Sequence, residues 1–392
     1  MSKQLEIKYD IVSPLLAWYD EDHRDLPWRS EPAPYRVWVS EIMLQQTRVE
    51  AVKPYFERFM KELPTIEKLA YANEDTLLKL WEGLGYYNRI RNMQKAARMV
   101  CEQYGGNFPD TYDEIVKLPG IGSYTAGAIA SICFERPVPA VDGNVMRIVS
   151  RLMRYEGDIL KESSKKEIRE ALLPHMPEGE SGKFNQAMME LGATVCVPNG
   201  APACERCPWA RLCACASRSS SGIVEAGGEA EKAKGTKRSG EIAELWREYP
   251  KKSGAKKRRI EKKTILILGD RDHVLLHKRP DKGLLAGMYE LPAMEGHVAQ
   301  REILSFIGQL GFHPLRIRHA GDAKHIFSHI EWHMKGYQIL LEADDIEHAP
   351  DGFVFATLEE ARTDYAIPSA FAAYADALRL RDVTWKKGEV PQ

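Results

Sequence analysis

No stretch of this sequence is long and apolar enough to cross a bilayer, and its opening residues, MSKQLEIKYD, hold no hydrophobic secretory core. A cytoplasmic location is the expectation. Charge of one sign is also missing: 55 Lys and Arg face 56 Asp and Glu, a net −1, so the composition as a whole announces no polyanionic partner. Cysteine is sparse, at seven in 392 residues, and without an export signal a disulfide framework is not expected. Convincing apolar–polar alternation is absent from about Tyr9 to Leu212, which leaves helices as the only regular structure of the first half. What remains, 44% hydrophobic and 28% charged, is ordinary for a globular chain long enough to bury two cores.

The most informative stretch present is Leu118 to Asn144, LPGIGSYTAGAIASICFERPVPAVDGN. Pro119, Gly120 and Gly122 supply fixed and positive backbone angles for a tight hairpin. Ser123 then leads into a small, apolar helix. N–H groups at such a turn can hold a phosphate without side-chain charge. Beyond the helix comes Asp142 in AVDGNV, an acid placed either to cap the next helix or to stand in a cleft as a catalyst.

Other segments are read in chain order. YRVWVSEIMLQQT, 35 to 47, reads as a helix that sets Glu41 among Val37, Val39, Ile42 and Leu44, with Gln45 and Arg48 continuing its stripe. An apolar setting favours the neutral carboxyl, as a proton donor at neutral pH requires; a solvent-facing glutamate is the plainer alternative. WEGLGYYNRIRNM, 81 to 93, offers aromatics on a glycine-rich loop beside arginines, suited to wedging between base pairs or to packing a helix corner. Arg147, Arg151 and Arg154 form a basic stripe of the kind that usually marks a wet helix face.

Five cysteines, Cys196, Cys204, Cys207, Cys213 and Cys215, crowd into twenty residues. The spacing Cys-x7-Cys-x2-Cys-x5-Cys from Cys196 to Cys213 lacks two separated knuckles and suits a cubane iron–sulfur cluster better than structural zinc. Residues 216–262 are a low-complexity basic linker. From Lys232 to Lys263 thirteen Lys and Arg stand against four Glu, with a short amphipathic piece near Glu241 to Tyr249 able to dock. From 263 the pattern turns α+β, with strands at 263–268, 273–277, 324–341 and 353–355 and helices at 298–310, 357–363 and 368–380.

SEIMLQQTRVE, GLGYYNR, LPGIGSYTAGAI, VDGNVMR, the four-cysteine loop and FSHIEWH, in this order, resemble helix-hairpin-helix DNA glycosylases, specifically the MutY-type adenine DNA glycosylases. The resemblance implies a multidomain fold: an all-α helix-hairpin-helix glycosylase domain (1–195), an iron–sulfur cluster loop (196–215), the linker (216–262) and a C-terminal α+β Nudix-like domain (263–392). It implies hydrolysis of the N-glycosidic bond of adenine mispaired with 8-oxoguanine or guanine in duplex DNA, by a monomer in a nucleoid-associated, prokaryotic-type setting.

By that resemblance Glu41 protonates the adenine at N7 and Asp142 stabilises the sugar cation, with Tyr124 and Asn144 positioning the site. Arg29 and Gln186 contact the flipped base. Gln46 and Tyr86 wedge into the duplex, and Gly120 and Gly122 hold phosphate. Phe327, Ser328 and His329 read 8-oxoguanine. Cys196, Cys204, Cys207 and Cys213 ligate one [4Fe-4S] cluster, whose loop carries Arg206 and Arg211 toward the phosphates. Cys215 stays open as a substitute for Cys213, and the extra residue between Cys196 and Cys204 is expected to be absorbed in VPNGAPA. Bifunctional endonuclease III relatives carry a lysine where Tyr124 stands, so the activity implied is monofunctional. The paired glutamates of a Nudix box are missing from the helix after Glu290, so pyrophosphatase activity is not expected.

Overall fold

The computed structural model describes residues 5–216, 244–254 and 257–375. The chain forms two compact units, Met1–Met60 with Ala96–Gly254, and Lys61–Lys95 with Ala255–Gln392. Eleven α-helices precede the first strand among the described residues: α1 Val12–Asp22, α2 Pro34–Leu44, α3 Val49–Glu62, α4 Ile66–Tyr71, α5 Glu74–Leu80, α6 Asn88–Tyr104, α7 Tyr112–Ile115, α8 Ser123–Phe134, α9 Gly143–Met153, α10 Glu162–Leu172 and α11 Ser181–Thr194. Among the described residues no helix is long and apolar enough to cross a membrane.

In the first unit, apolar residues of α1, α9, α10 and α11 converge on a core that includes Leu15, Val149, Ile168, Phe184 and Leu191. The helix α8 is buried on nearly every side because its residues are small. A Cβ added at Gly127 would stand 2.8 Å from the Pro139 carbonyl oxygen, so only glycine lets the two backbones meet there. The segment expected to run helical from 35 to 47 stops at Leu44. Gln46 takes a left-handed φ of 60°, which ends the hydrogen-bond ladder, so Gln45 and Arg48 do not prolong the Glu41 stripe.

The second unit joins 61–95 to the C-terminal sheet. Lys79 donates to the Tyr365 carbonyl at 2.9 Å, the Ile367 N–H to Glu82 at 2.7 Å, and Arg91 to both Glu74 and the Ala286 carbonyl. The helical pattern of the sequence places 61–95 with residues 1–195.

Its strands are β1 Arg259–Gly269, β2 His273–Lys278, β3 Tyr289–Glu290, β4 Ala293–Glu295, β5 Pro314–Ile326, β6 Ile330–Leu341 and β7 Phe353–Thr357. The sheet runs β3-β2-β1-β6-β5, with β4 on β1 and β7 on β2; β1 and β6 are parallel and the remaining pairs antiparallel. One face buries Ile265, Trp332, Met334 and Phe371. On the other, Leu266, Leu268 and Ile339 meet Ile303 and Ile307 of α12, Gln300–Gln309. The single acid of α12, Glu302, accepts the Ala299 N–H at 2.9 Å in a capping role. After α13, Leu358–Thr363, the helix expected at 368–380 is instead a 3-10 turn, Ser369–Tyr374; residues 376–380 lie outside the described residues.

Candidate active site

Glu41 sits on α2 with six other residues of that helix buried around it, itself only 6% exposed. The solvent-facing alternative is therefore wrong. Burial raises its pKa to about 7; the Asp142 charge adds to the rise, while the Tyr124 hydroxyl, donating to Oε2, and the charge of Arg29 oppose it. Tyr124 comes from the second position of α8. Burial and then the two neighbouring carboxylates lift its own pKa well above the phenol range, so it remains a hydrogen-bond donor.

Asp142 answers both readings at once: it caps α9 and faces the cavity. Its Oδ1 accepts the Val145 N–H at 2.7 Å and its Oδ2 accepts Asn144 Nδ2 at 2.7 Å. Burial raises its pKa, opposed by those donors and by the charge of Arg147.

A cavity of about 780 Å³ contains all of these groups. Glu41, Tyr124, Asp142, Asn144, Arg29, Gln186 and Gln46, proposed from separate segments, line it together. Leu26, Trp28, Leu44, Val141, Met146 and Met189 supply apolar wall beside these groups. Tyr19 donates to Gln186 Oε1 at 3.4 Å.

Sequence reasoning missed Glu190. Its side chain is fully buried, one helical turn beyond Gln186 on α11, and it binds Arg24 at 2.6 Å and Arg29 at 2.7 Å. Burial would raise its pKa, but the two guanidiniums outweigh that and hold it below the usual range. Its four-residue spacing from Gln186 was the available signal.

The basic stripe on α9 is also corrected. Arg147 and Arg151 are 7% and 4% exposed, and only Arg154 faces solvent. Arg147 donates to the Cys196 carbonyl at 2.8 Å, the Gly192 carbonyl at 2.7 Å and Asn144 Oδ1 at 2.8 Å. Arg151 donates to the Val197 carbonyl at 3.0 Å, Cys196 Sγ at 3.3 Å and the Tyr249 carbonyl at 3.1 Å. Both cations are spent on backbone that folds over them, which helical periodicity alone could not reveal. Gly192 has no room for a side chain, since a Cβ there would lie 2.5 Å from that of Asn144.

In the hairpin, Gly120 has φ 77°, but Gly122 is extended, with φ −91°, so the expected positive angle is needed at one position only. Gly122 caps α8, and a Cβ there would meet nothing within 4 Å. The hairpin residues do not line the cavity.

The cysteine loop is anchored by Trp209, 2% exposed, whose indole N–H donates to the Ile11 carbonyl at 2.9 Å. The Ala203 N–H donates to the Val195 carbonyl at 3.0 Å, closing the segment with the extra residue into an exposed loop. Among the described residues no group of three or more His, Cys, Asp or Glu is arranged to hold a metal ion. Burial pushes Cys207 up to about 12, opposed by a hydrogen bond from the Trp209 backbone and aided by the nearby Cys196, Cys213 and Cys204 thiols. A hydrogen bond with Cys215 lowers Cys213 to about 7, and Cys215 is raised. Arg206, expected to face phosphate, is paired with Asp22 at 2.7 Å.

In the second unit, Tyr86 is 49% exposed and left-handed, with φ 49°. Phe327, Ser328 and His329 form the β5–β6 hairpin tip. Phe327 rests on Trp332, ring centroids 4.9 Å apart, while Ser328 and His329 are exposed and 3.1 Å from each other, Oγ to Nδ1.

A helical unit with a glycine hairpin, two carboxylates in one cavity and a cysteine-rich loop, together with a mixed α/β unit, defines a helix-hairpin-helix base-excision glycosylase with a Nudix-like domain. The family described as "HhH-GPD superfamily base excision DNA repair protein" matches residues 39–174, and "NUDIX domain" matches 264–377. The chain is 36% identical to the adenine DNA glycosylase of Mus musculus over 93% of its own length and 78% of the mouse protein. It is also 36% identical to that of Homo sapiens, over 89% of its own length and 70% of the human protein. A thermostable thymine-DNA glycosylase structure aligns with 53% of this chain and 95% of its own, at 28% identity and TM-score 0.47. The chain belongs to the adenine DNA glycosylase family.

Proposed function

We propose that the protein is a monofunctional DNA glycosylase of base-excision repair, hydrolysing the N-glycosidic bond of adenine opposite 8-oxoguanine or guanine in duplex DNA. One observation carries this reading: a carboxyl whose surroundings favour the neutral form, Glu41, shares a cavity with a carboxyl held by N–H donors, Asp142. A proton-holding carboxyl beside one whose oxygens accept N–H donors suits acid-assisted cleavage of a glycosidic bond.

The adenine must leave the stack to reach the cavity. Glu41 donates its proton to N7 as the C1′–N9 bond breaks, and the bonding pair goes to the purine. Positive charge left on the sugar is met by the Asp142 carboxylate; water then adds at C1′ and gives its proton to the Glu41 carboxylate, restoring the acid. Tyr124 keeps Glu41 oriented and offers no amine for a covalent sugar adduct. Arg29 and Gln186 form the wall against the extruded base.

Gln46 and Tyr86 act as wedges, and the Gly120–Gly122 turn holds backbone phosphate. Ser328 and His329 read the opposing 8-oxoguanine, supported by their exposure at a hairpin tip braced by Phe327. Cys196, Cys204, Cys207 and Cys213 would hold one [4Fe-4S] cluster. Four thiols in one loop are the donor chemistry that group takes, with Cys215 open as a substitute for Cys213. When bound, the cluster supplies a rigid fold to its loop. The protein is read as a monomer acting on duplex DNA.

The test is incubation with duplexes carrying adenine opposite each of the four bases and 8-oxoguanine, followed by alkali to cut abasic sites. Strand cleavage confined to the guanine and 8-oxoguanine duplexes, with nothing trapped by borohydride, is expected; indifference to the opposing base would contradict the reading.

A further inference from the structure

The segment following the basic low-complexity stretch returns to the catalytic unit. Leu245–Arg247 make a 3-10 turn, and the Arg151 guanidinium lies 5.6 Å over the Trp246 ring. Arg151 also donates to the Tyr249 carbonyl at 3.1 Å, and the Ile159 N–H donates to the Lys251 carbonyl at 3.1 Å. Asp158 takes hydrogen bonds from Ser253. These attachments hold Lys252 on the rim of the cavity that contains Glu41 and Asp142, with Lys161 and Lys165 beside the start of α10.

Lysines outnumber acids on that rim: Glu162 is a loose 3.8 Å from Lys165, Asp158 lies within reach of the Lys161 charge, and Lys161 and Lys252 are exposed. Gln45, Gln46 and Thr47, which also line the cavity, are uncharged. Extruding a nucleotide brings its two flanking phosphates toward a cavity that already holds a carboxylate, and like charges at such distances repel unless cations stand between. Ammonium groups on long flexible stems are suited to that task.

We propose that Lys161, Lys165 and Lys252 form a phosphate clamp on the strand flanking the extruded nucleotide, which makes the segment 244–254 part of the DNA-binding surface and not a spacer. The clamp rests on the glycosylase reading above.

The test measures affinity of the full chain for a duplex carrying 2′-fluoro-2′-deoxyadenosine opposite 8-oxoguanine, across a series of KCl concentrations. The fluorine disfavours positive charge at C1′ and so blocks cleavage. Each lost phosphate contact lowers the slope of log K against log salt by about 0.9. Lys161→Ala with Lys252→Ala is expected to reduce the slope by about 1 to 2 and to weaken binding several-fold, by the same principle. Lys161→Arg with Lys252→Arg keeps the wild-type slope and shows that the fold is intact. Lys166→Ala, at a lysine of α10 whose side chain is 77% exposed and outside the rim, leaves the slope unchanged. A wild-type slope in the double alanine variant, or an equal loss in Lys166→Ala, overturns the clamp. Failure of the wild-type protein to bind this duplex or to release adenine from the unfluorinated one overturns the glycosylase reading, and the clamp with it.

Discussion

Arg29 stands 2.7 Å from the fully buried carboxylate of Glu190, and that pairing bears on a different acid across the cavity. The Arg29 charge works against the raised pKa of Glu41. With Glu190 removed, that charge loses its counter-ion and draws the Glu41 proton off at lower pH. In Glu190→Gln the alkaline limb of the single-turnover pH profile is therefore expected to move to lower pH. A displacement of one pH unit costs about tenfold in rate above the limb. A limb that stays in place would separate Arg29 from the control of Glu41.

Glu41 also links function to stability. Its folded pKa, about 7, lies above the ordinary 4.5, so the native state holds a proton that the unfolded chain releases. The stability this confers is fully present below pH 4.5 and is lost as pH rises through about 7. A shift of that size corresponds to about 3 kcal/mol. Glu41→Gln has no proton to lose, so its stability advantage over the wild type should grow between pH 4.5 and 7 and then level off. Urea titrations across that range check this, and a pH-independent difference would contradict the burial argument.

Arg147 ties Cys196 to Asn144, and Asn144 in turn donates to Asp142. Arg147→Ala leaves four acceptors, the Cys196, Gly192 and Gly143 carbonyls and Asn144 Oδ1, without their donor, a loss of about 3 kcal/mol for a buried, hydrogen-bonded charge. Arg147→Lys should recover little, because one ammonium cannot reproduce the guanidinium fork. Urea midpoints report the stability, and single-turnover excision reports the displacement of Asp142; unchanged values for both would remove the bridge.

The helical period of the sequence sets Glu41 among apolar residues without excluding a solvent face, and leaves Asp142 either a cap or a catalyst; it was the family resemblance that joined these two to Tyr124 in one site. What stayed hidden depended on distant chain. The α9 arginines read as solvated because nothing in their spacing shows that the cysteine loop, 49 residues from Arg147 to Cys196, folds back over them. Gln45 and Arg48 were placed on a helix that a left-handed Gln46 had already ended. The amphipathic piece near Glu241 to Tyr249 is legible as able to dock, but its partner is not, because the contact is a backbone carbonyl, that of Tyr249, on Arg151.

In the second unit, Ser328 and His329 are exposed at the β5–β6 tip. Ser328→Ala with His329→Ala is expected to leave excision of adenine opposite guanine near the wild-type rate while lowering the preference for 8-oxoguanine about tenfold, as for one or two lost hydrogen bonds. Relative single-turnover rates on the two mismatches decide it, and an unchanged ratio would remove these residues from the reading of the opposing base.

The division of labour between Glu41 and Asp142 is tested most directly by single-turnover excision of adenine opposite 8-oxoguanine in Glu41→Gln and in Asp142→Asn, with mismatch affinity measured on the same proteins. Both variants are expected to bind the duplex with near wild-type affinity and to lose at least about a thousandfold in base release, the scale of removing an acid or a charge-stabilising group from a transition state. Excision at the wild-type rate by either variant would contradict the account.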